Sequence, residues 1–132
     1  MTLTWRDIKY FKPEDFDSPD VKGSGEVNMS LEFVAKLDLL RETIKRPIFI
    51  TSGFRTLAHN KAIYFRSPSI PDSSHLRGLA ADIRCLDSNM RYLIISEALK
   101  LGFTRLETAP RHIHLDIDKT LPQDVLLHLT DS

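Results

Sequence analysis

Residues 112–118 read His-Ile-His-Leu-Asp-Ile-Asp, a strict alternation of polar and apolar side chains. Such alternation marks a half-buried strand, with one face towards a core and the other away from it. Ile113, Leu115 and Ile117 take the core face, which leaves His112, His114, Asp116 and Asp118 together on the other. Imidazoles and carboxylates are the donor types that borderline divalent metals prefer. Taken alone, the segment reads equally as a polar, solvent-facing edge.

A second segment supplies the same chemistry. Residues 73–85 read Ser-Ser-His-Leu-Arg-Gly-Leu-Ala-Ala-Asp-Ile-Arg-Cys, with His75 and Asp82 seven residues apart. Gly78 can adopt a positive φ, so the chain can double back between the two before entering a strand. Ala80 and Ala81 leave room for close backbone packing. Asp82 alternates with Ala81 and Ile83 and so also lies on a polar face. Two separated segments thus each offer metal donors. Three protein ligands with one open position is the arrangement of a catalytic zinc site.

The pattern Ser-x-His-x-x-Gly-x-Ala-x-Asp, carried here by Ser73, His75, Gly78, Ala80 and Asp82, resembles the signature of the zinc D-Ala-D-Ala peptidases. Those enzymes share a fold with phage L-alanyl-D-glutamate endopeptidases, the vancomycin-resistance dipeptidase and the hedgehog signalling domain. His112-Ile-His114 resembles the His-x-His of hedgehog, and His114-Leu-Asp116 resembles the His-x-Asp of the phage-type peptidases. The resemblance covers roughly residues 30–118. It implies a zinc ion held by His75, Asp82 and His114, and an amide of a peptidoglycan stem peptide as substrate, cut as a D-Ala-D-Ala carboxypeptidase or an L-Ala-D-Glu endopeptidase would. Thr51-Ser-Gly-Phe-Arg-Thr56 resembles the family's Ser-Gly-Tyr-Arg segment, which gives Arg55 the role of binding a substrate carboxylate, a task suited to a planar fork of donors. Ser73 would either orient the site through its hydroxyl or serve the turn.

The general base departs from the family pattern. Bacterial members commonly carry an acid three residues before the last His ligand, where this chain has Arg111. Hedgehog-like domains carry the acid further upstream, which points to Glu107, with His112 as runner-up base or as a donor to the developing oxyanion. The interval from Glu107 to His114 is one residue longer than in hedgehog. The rival to an enzyme is a zinc-containing binding or structural domain of the same fold. A metal-free adaptor would require the three ligands to lie apart.

The elements that must position these residues follow from capping and periodicity. Residues 1–29 are rich in turn formers but carry Trp5, Tyr10, Phe11 and Phe16, which suggests an irregular lead-in pinned by aromatics. Ser30 offers an N-cap to a helix with Phe33, Leu37, Leu40 and Ile44 at helical spacing, ended by Pro47. A short buried strand over 48–51 and a short helix over 57–65 are expected next. A helix over 89–101 with Gly102 as cap follows, then strands over 104–107 and 112–118 and a last short helix over 122–129. The order suggests an α+β fold with a small, largely antiparallel sheet packed with helices. His59 reads as a packed or capping residue, His128 as a helix-surface residue.

With 132 residues, one domain is expected to span 1–132. Eighteen basic and eighteen acidic residues cancel. That balance supplies no basic field for nucleic acid. No apolar run approaches the ~20 residues of a membrane span. The single cysteine, Cys85, reads as a small core residue and forms no internal disulfide. The start of the chain lacks the apolar stretch of a signal peptide. Synthesis in the cytoplasm is therefore expected, with a monomer acting at the cell wall after phage-type release.

Overall fold

The computed structural model describes residues 2–69 and 71–129. Among these residues, besides three short 3-10 turns, the α-helices and strands follow the order α1 (Ser24–Asn28), α2 (Leu31–Ile44), β1 (Ile50–Ser52), α3 (Leu57–Ile63), β2 (Ala80–Arg84), α4 (Ser88–Lys100), β3 (Arg105–Thr108), β4 (His112–Asp116) and β5 (Val125–His128). The five strands form one sheet in the order β1-β2-β4-β3-β5. All pairings are antiparallel except that of β3 with β5. This is the expected α+β architecture.

Register decides which side chains share a face. Across β2, β4 and β3, Asp82 pairs with His114 and His114 with Glu107; Ser52 of β1 pairs with Asp82. Directly paired residues project to the same side of a sheet. Ser52, Asp82, His114 and Glu107 therefore stand in one polar row. The two flanking rows, Ile83 with Ile113 and Leu115 with Leu106, project to the opposite side. There they join Phe33, Val34 and Leu37 of α2 and Ile94 and Ala98 of α4 in one buried cluster. Each such aliphatic side chain contributes roughly 1.5–3 kcal/mol by leaving water. A one-residue slip of β4 would send Ile113 and Leu115 to the polar side, so burial fixes the register that builds the row.

The helices begin where the sequence offers caps. The Ser30 hydroxyl accepts the Phe33 N–H at 3.2 Å, and the Asp87 carboxylate accepts that of Met90 at 3.0 Å. Gly102 follows α4 with φ of 88°. In the lead-in, Phe16 lies fully buried between Trp5 and Phe11, at centroid distances of 5.9 and 5.6 Å. The aromatics pin it as expected, although it also contains the one-turn helix α1. Cys85 is buried just beyond β2, within the core cluster.

Two expectations fail near the C-terminus. Residues 122–129 do not form a helix. Val125–His128 is a strand beside β3, tied by Val125 N–H to the Thr104 carbonyl at 3.1 Å and Leu129 N–H to the Thr108 carbonyl at 2.7 Å. The open edge of β3 offers a ladder of backbone partners that an isolated helical turn could not match. His128 is accordingly an exposed strand residue. Strand β4 also stops at Asp116. Asp118 turns away and pairs with Arg77, whose Nε donates to its carboxylate at 2.7 Å.

Candidate metal centre

The turn that carries His75 is built by Gly78. Its φ is 68°, and a Cβ there would meet the Asn28 carbonyl oxygen at 1.9 Å, so only glycine fits. The same residue accepts the Ser30 N–H at 2.8 Å, which docks the turn against the start of α2. Gly53, after β1, packs on the Phe16 backbone, where an added Cβ would lie 2.7 Å from Cα, and its carbonyl faces the His75 ring.

These constraints bring His75, Asp82 and His114 together. One potential ligand atom from each lies within 4.8 Å of the others, and all three residues are buried. His75 Nε2 is 3.2 Å and His114 Nδ1 2.9 Å from Asp82 Oδ1. Zinc bonds of about 2.0–2.1 Å arranged tetrahedrally would separate neighbouring donors by about 3.3 Å. The donor set and its spacing therefore fit such an ion.

Each donor is oriented from behind. His75 Nδ1 donates to the Gly53 carbonyl at 2.7 Å, which leaves Nε2 free to ligate. His114 uses its ring in the opposite sense: Nε2 donates to Asp116 Oδ2 at 2.7 Å, leaving Nδ1 on the ligand side. Asp82 turns Oδ1 to the histidines, while Oδ2 accepts from Arg55 Nη2 at 3.4 Å. Asp116 is in turn held by Arg105 Nε at 3.1 Å and the Ser74 hydroxyl at 3.4 Å.

The electrostatics agree. Burial pushes the His75 pKa down, against the pull of Asp82, so its ring is neutral. Burial works the same way on His114, but hydrogen bonds to Asp116 and Asp82 outweigh it and raise the value to about 9. Burial would raise Asp82, yet the hydrogen bond from the charged His114 and the His75 ring beside it hold it well below the usual carboxylate range. The pair is thus an imidazolium facing a carboxylate, an arrangement in which a dication can take the place of a proton.

The cluster lies on the wall of a cleft of about 620 Å³ that Arg55, Ser73, Glu107 and His112 also line. Every site residue singled out in the sequence therefore faces one cleft. Glu107 is half-buried and 3.7 Å from Arg105 Nη2. Arg55 is more enclosed than a surface charge: Nε donates to Ser52 Oγ at 3.0 Å and Nη1 to Asn60 Oδ1 at 3.4 Å. The Ser73 hydroxyl accepts the His75 N–H at 3.2 Å, a turn-capping contact. His59 lies in the first turn of α3, and its backbone N–H donates to the Thr56 hydroxyl.

Sequence reasoning passed over Ser74, Asn60 and Arg105. The first two reveal themselves only once the chain is folded. Arg105 could have been found, since it stands two residues from Glu107 on the same strand face.

Two buried histidines and a carboxylate, each supported from behind and converging beside an open cleft on an α+β sheet, define a metallopeptidase-like centre. Consistent with this, residues 9–116 match the Peptidase M15 family, and the chain belongs to it. No curated protein matches the chain significantly. Among the described residues, no helix is long and apolar enough to cross a membrane.

Proposed function

We propose that this peptidase, acting as a single domain, is zinc-dependent and hydrolyses an amide bond in peptidoglycan stem peptides. The reading is carried by His75 Nε2 and His114 Nδ1, which lie 3.2 and 2.9 Å from Asp82 Oδ1 while the remaining ring and carboxylate atoms are bonded elsewhere. A zinc ion bound there supplies Lewis acidity, polarising the scissile carbonyl and lowering the pKa of bound water towards ~7.

The protein's residues do the rest. Glu107, opposite His114 in the register, takes a proton from the attacking water as its oxygen bonds to the carbonyl carbon. As the C–N bond breaks, the same carboxyl passes that proton to the leaving nitrogen. His112 donates to the carbonyl oxygen as charge builds there. Three of the five Arg55 N–H groups are engaged, and one on each η nitrogen remains for a substrate carboxylate. Ser73 holds the turn that presents His75. The likeness of His114-Leu-Asp116 to the His-x-Asp of the phage-type peptidases supports action at the cell wall after phage-type release.

Liquid chromatography and mass spectrometry of defined muropeptides test the reading. Zinc-loaded protein should release fragments with one new amine and one new carboxyl terminus, and chelation should stop the release until zinc is restored. Zinc-loaded protein that cuts no stem-peptide bond would instead favour a zinc-containing binding domain, in keeping with Arg111 at the position where bacterial relatives carry the acid.

A further inference from the structure

The Arg105 side chain is 11 % exposed and makes three polar contacts at once. Its Nε donates to Asp116 Oδ2 at 3.1 Å, its Nη2 lies 3.7 Å from Glu107 Oε1, and its Nη1 donates to the Pro122 carbonyl at 3.1 Å. The Asp116 oxygen it holds is the one that accepts from His114 Nε2. Arg105 is thus the one group among the described residues that bridges the carboxylate behind a ligand histidine and the carboxylate beside the ligand row.

We propose that Arg105 is a positioning residue of this site, which fixes Glu107 and Asp116 relative to each other and thereby sets the proton acceptor against the His114 ligand. Its kinetic consequences rest on the peptidase reading above. The physical case starts with Asp116, whose side chain is wholly buried. A buried carboxylate needs a paired cation or several donors, and Asp116 gathers the Asp118 N–H at 3.0 Å and the Ser74 hydroxyl besides the ring of His114. Arg105 supplies a permanent positive charge, which stays beside Asp116 when His114 is a neutral ligand. Glu107 by contrast depends on Arg105 for its ion pair among the described residues. A planar guanidinium can serve two carboxylates and a carbonyl along fixed directions, whereas a lysine ammonium reaches one at a time. The Pro122 contact ties this fork to the segment that leads into β5, so the C-terminal strand also steadies the site.

A double-mutant cycle combined with proton NMR tests the proposal on the zinc-loaded full chain. Arg105→Gln should keep its zinc and its circular dichroism and lose about 10-fold in kcat, with KM changed less than about 2-fold. In a Glu107→Gln background the same substitution should cost less than about a further 2-fold, because the two side chains act as one unit. The His114 Nε2 proton should exchange with water about 10-fold faster in Arg105→Gln, since its acceptor loses an anchor. Arg105→Lys should fall between the two, and replaces the glutamine variant throughout should that one fail to fold. Wild-type kcat, losses that add in full, or unaltered exchange would each overturn the proposal. A wild-type protein that hydrolyses no muropeptide overturns the peptidase reading instead, and proton exchange then decides the role of Arg105 alone.

Discussion

The three proposed ligands and the proposed proton-transfer pair, Glu107 and His112, lie in the same cleft but are held in opposite ways. His75, Asp82 and His114 are anchored on the side away from the metal position, by the Gly53 carbonyl, Arg55 and Asp116. Glu107 has a 3.7 Å ion pair, and His112 contributes its carbonyl to Arg91 at 3.4 Å while its ring lines the cleft. The difference follows from the chemistry. A tetrahedral ion tolerates little change in donor spacing, so its ligands must be fixed before it arrives. A group that accepts and then returns a proton must follow the reacting atoms, and apo contacts of such groups are often long.

The sharpest way to break this comparison is to remove a ligand. His75→Ala or His114→Ala should abolish tight zinc binding, so that metal content falls from about one per chain to near zero after dialysis. Stoichiometric zinc in both variants would sink the assignment. Proton competition gives the same cluster a pH signature. The metal-free His114 pKa is raised from the ordinary 6.5 to about 9. Its protonated form therefore stabilises the metal-free fold below about pH 6.5, a contribution lost as the pH rises through about 9. Zinc must displace a proton from this ring at neutral pH, so affinity should climb between pH 6.5 and 9 and level off above. A flat profile over that range would refute the pairing.

The looser half of the comparison predicts a smaller but still large effect. Glu107→Gln should retain zinc and lose at least about 10²-fold in kcat on muropeptides, within the ~10²–10⁴ that general base catalysis supplies. Turnover near that of the wild type, with His112→Ala inactive instead, would move the proton acceptor to the imidazole.

The two halves were also unequally legible in the sequence. The clustering of His75, Asp82 and His114 is legible because alternation in 112–116 and a glycine-built turn before Asp82 are local signals that burial then enforces. Gly78 carries the positive φ its position implied. Of the backing contacts, that of Asp116 is legible, since alternation places it on the polar face of His114 two residues on; the others are not. Asn60 and Ser74 are ordinary polar residues until α3 and the His75 turn fold over the sheet and bury them. Strand β5 was missed for a related reason. Val125-Leu-Leu-His128 is too short for periodicity to separate helix from strand, and the open edge of β3 decides between them. Arg105 falls between the two cases, visible by alternation yet without meaning until Asp116 is seen beside it.

Arg55 belongs to both halves, and the smallest expected effect sharpens where the boundary lies. Its guanidinium supports Asp82 on one nitrogen and is held by Ser52 and Asn60 on the others, so it is part of the fixed cluster. It also lines the cleft with donors left over for a substrate carboxylate. Arg55→Lys keeps the charge but cannot reproduce the fork. If substrate binding dominates, KM should rise about 10-fold while zinc affinity stays within about 2-fold, because the lost bond is one the substrate makes. If support of Asp82 dominates, zinc affinity should fall about 10-fold and KM should hold, as expected when a group behind a ligand is lost. The geometry favours a shared role with the substrate share larger: the 3.4 Å contact to Asp82 is long for a charge-assisted bond, which is usually about 2.7–2.9 Å. Kinetics and chelator competition on the one variant separate the two shares. Neither value moving would remove Arg55 from the site altogether.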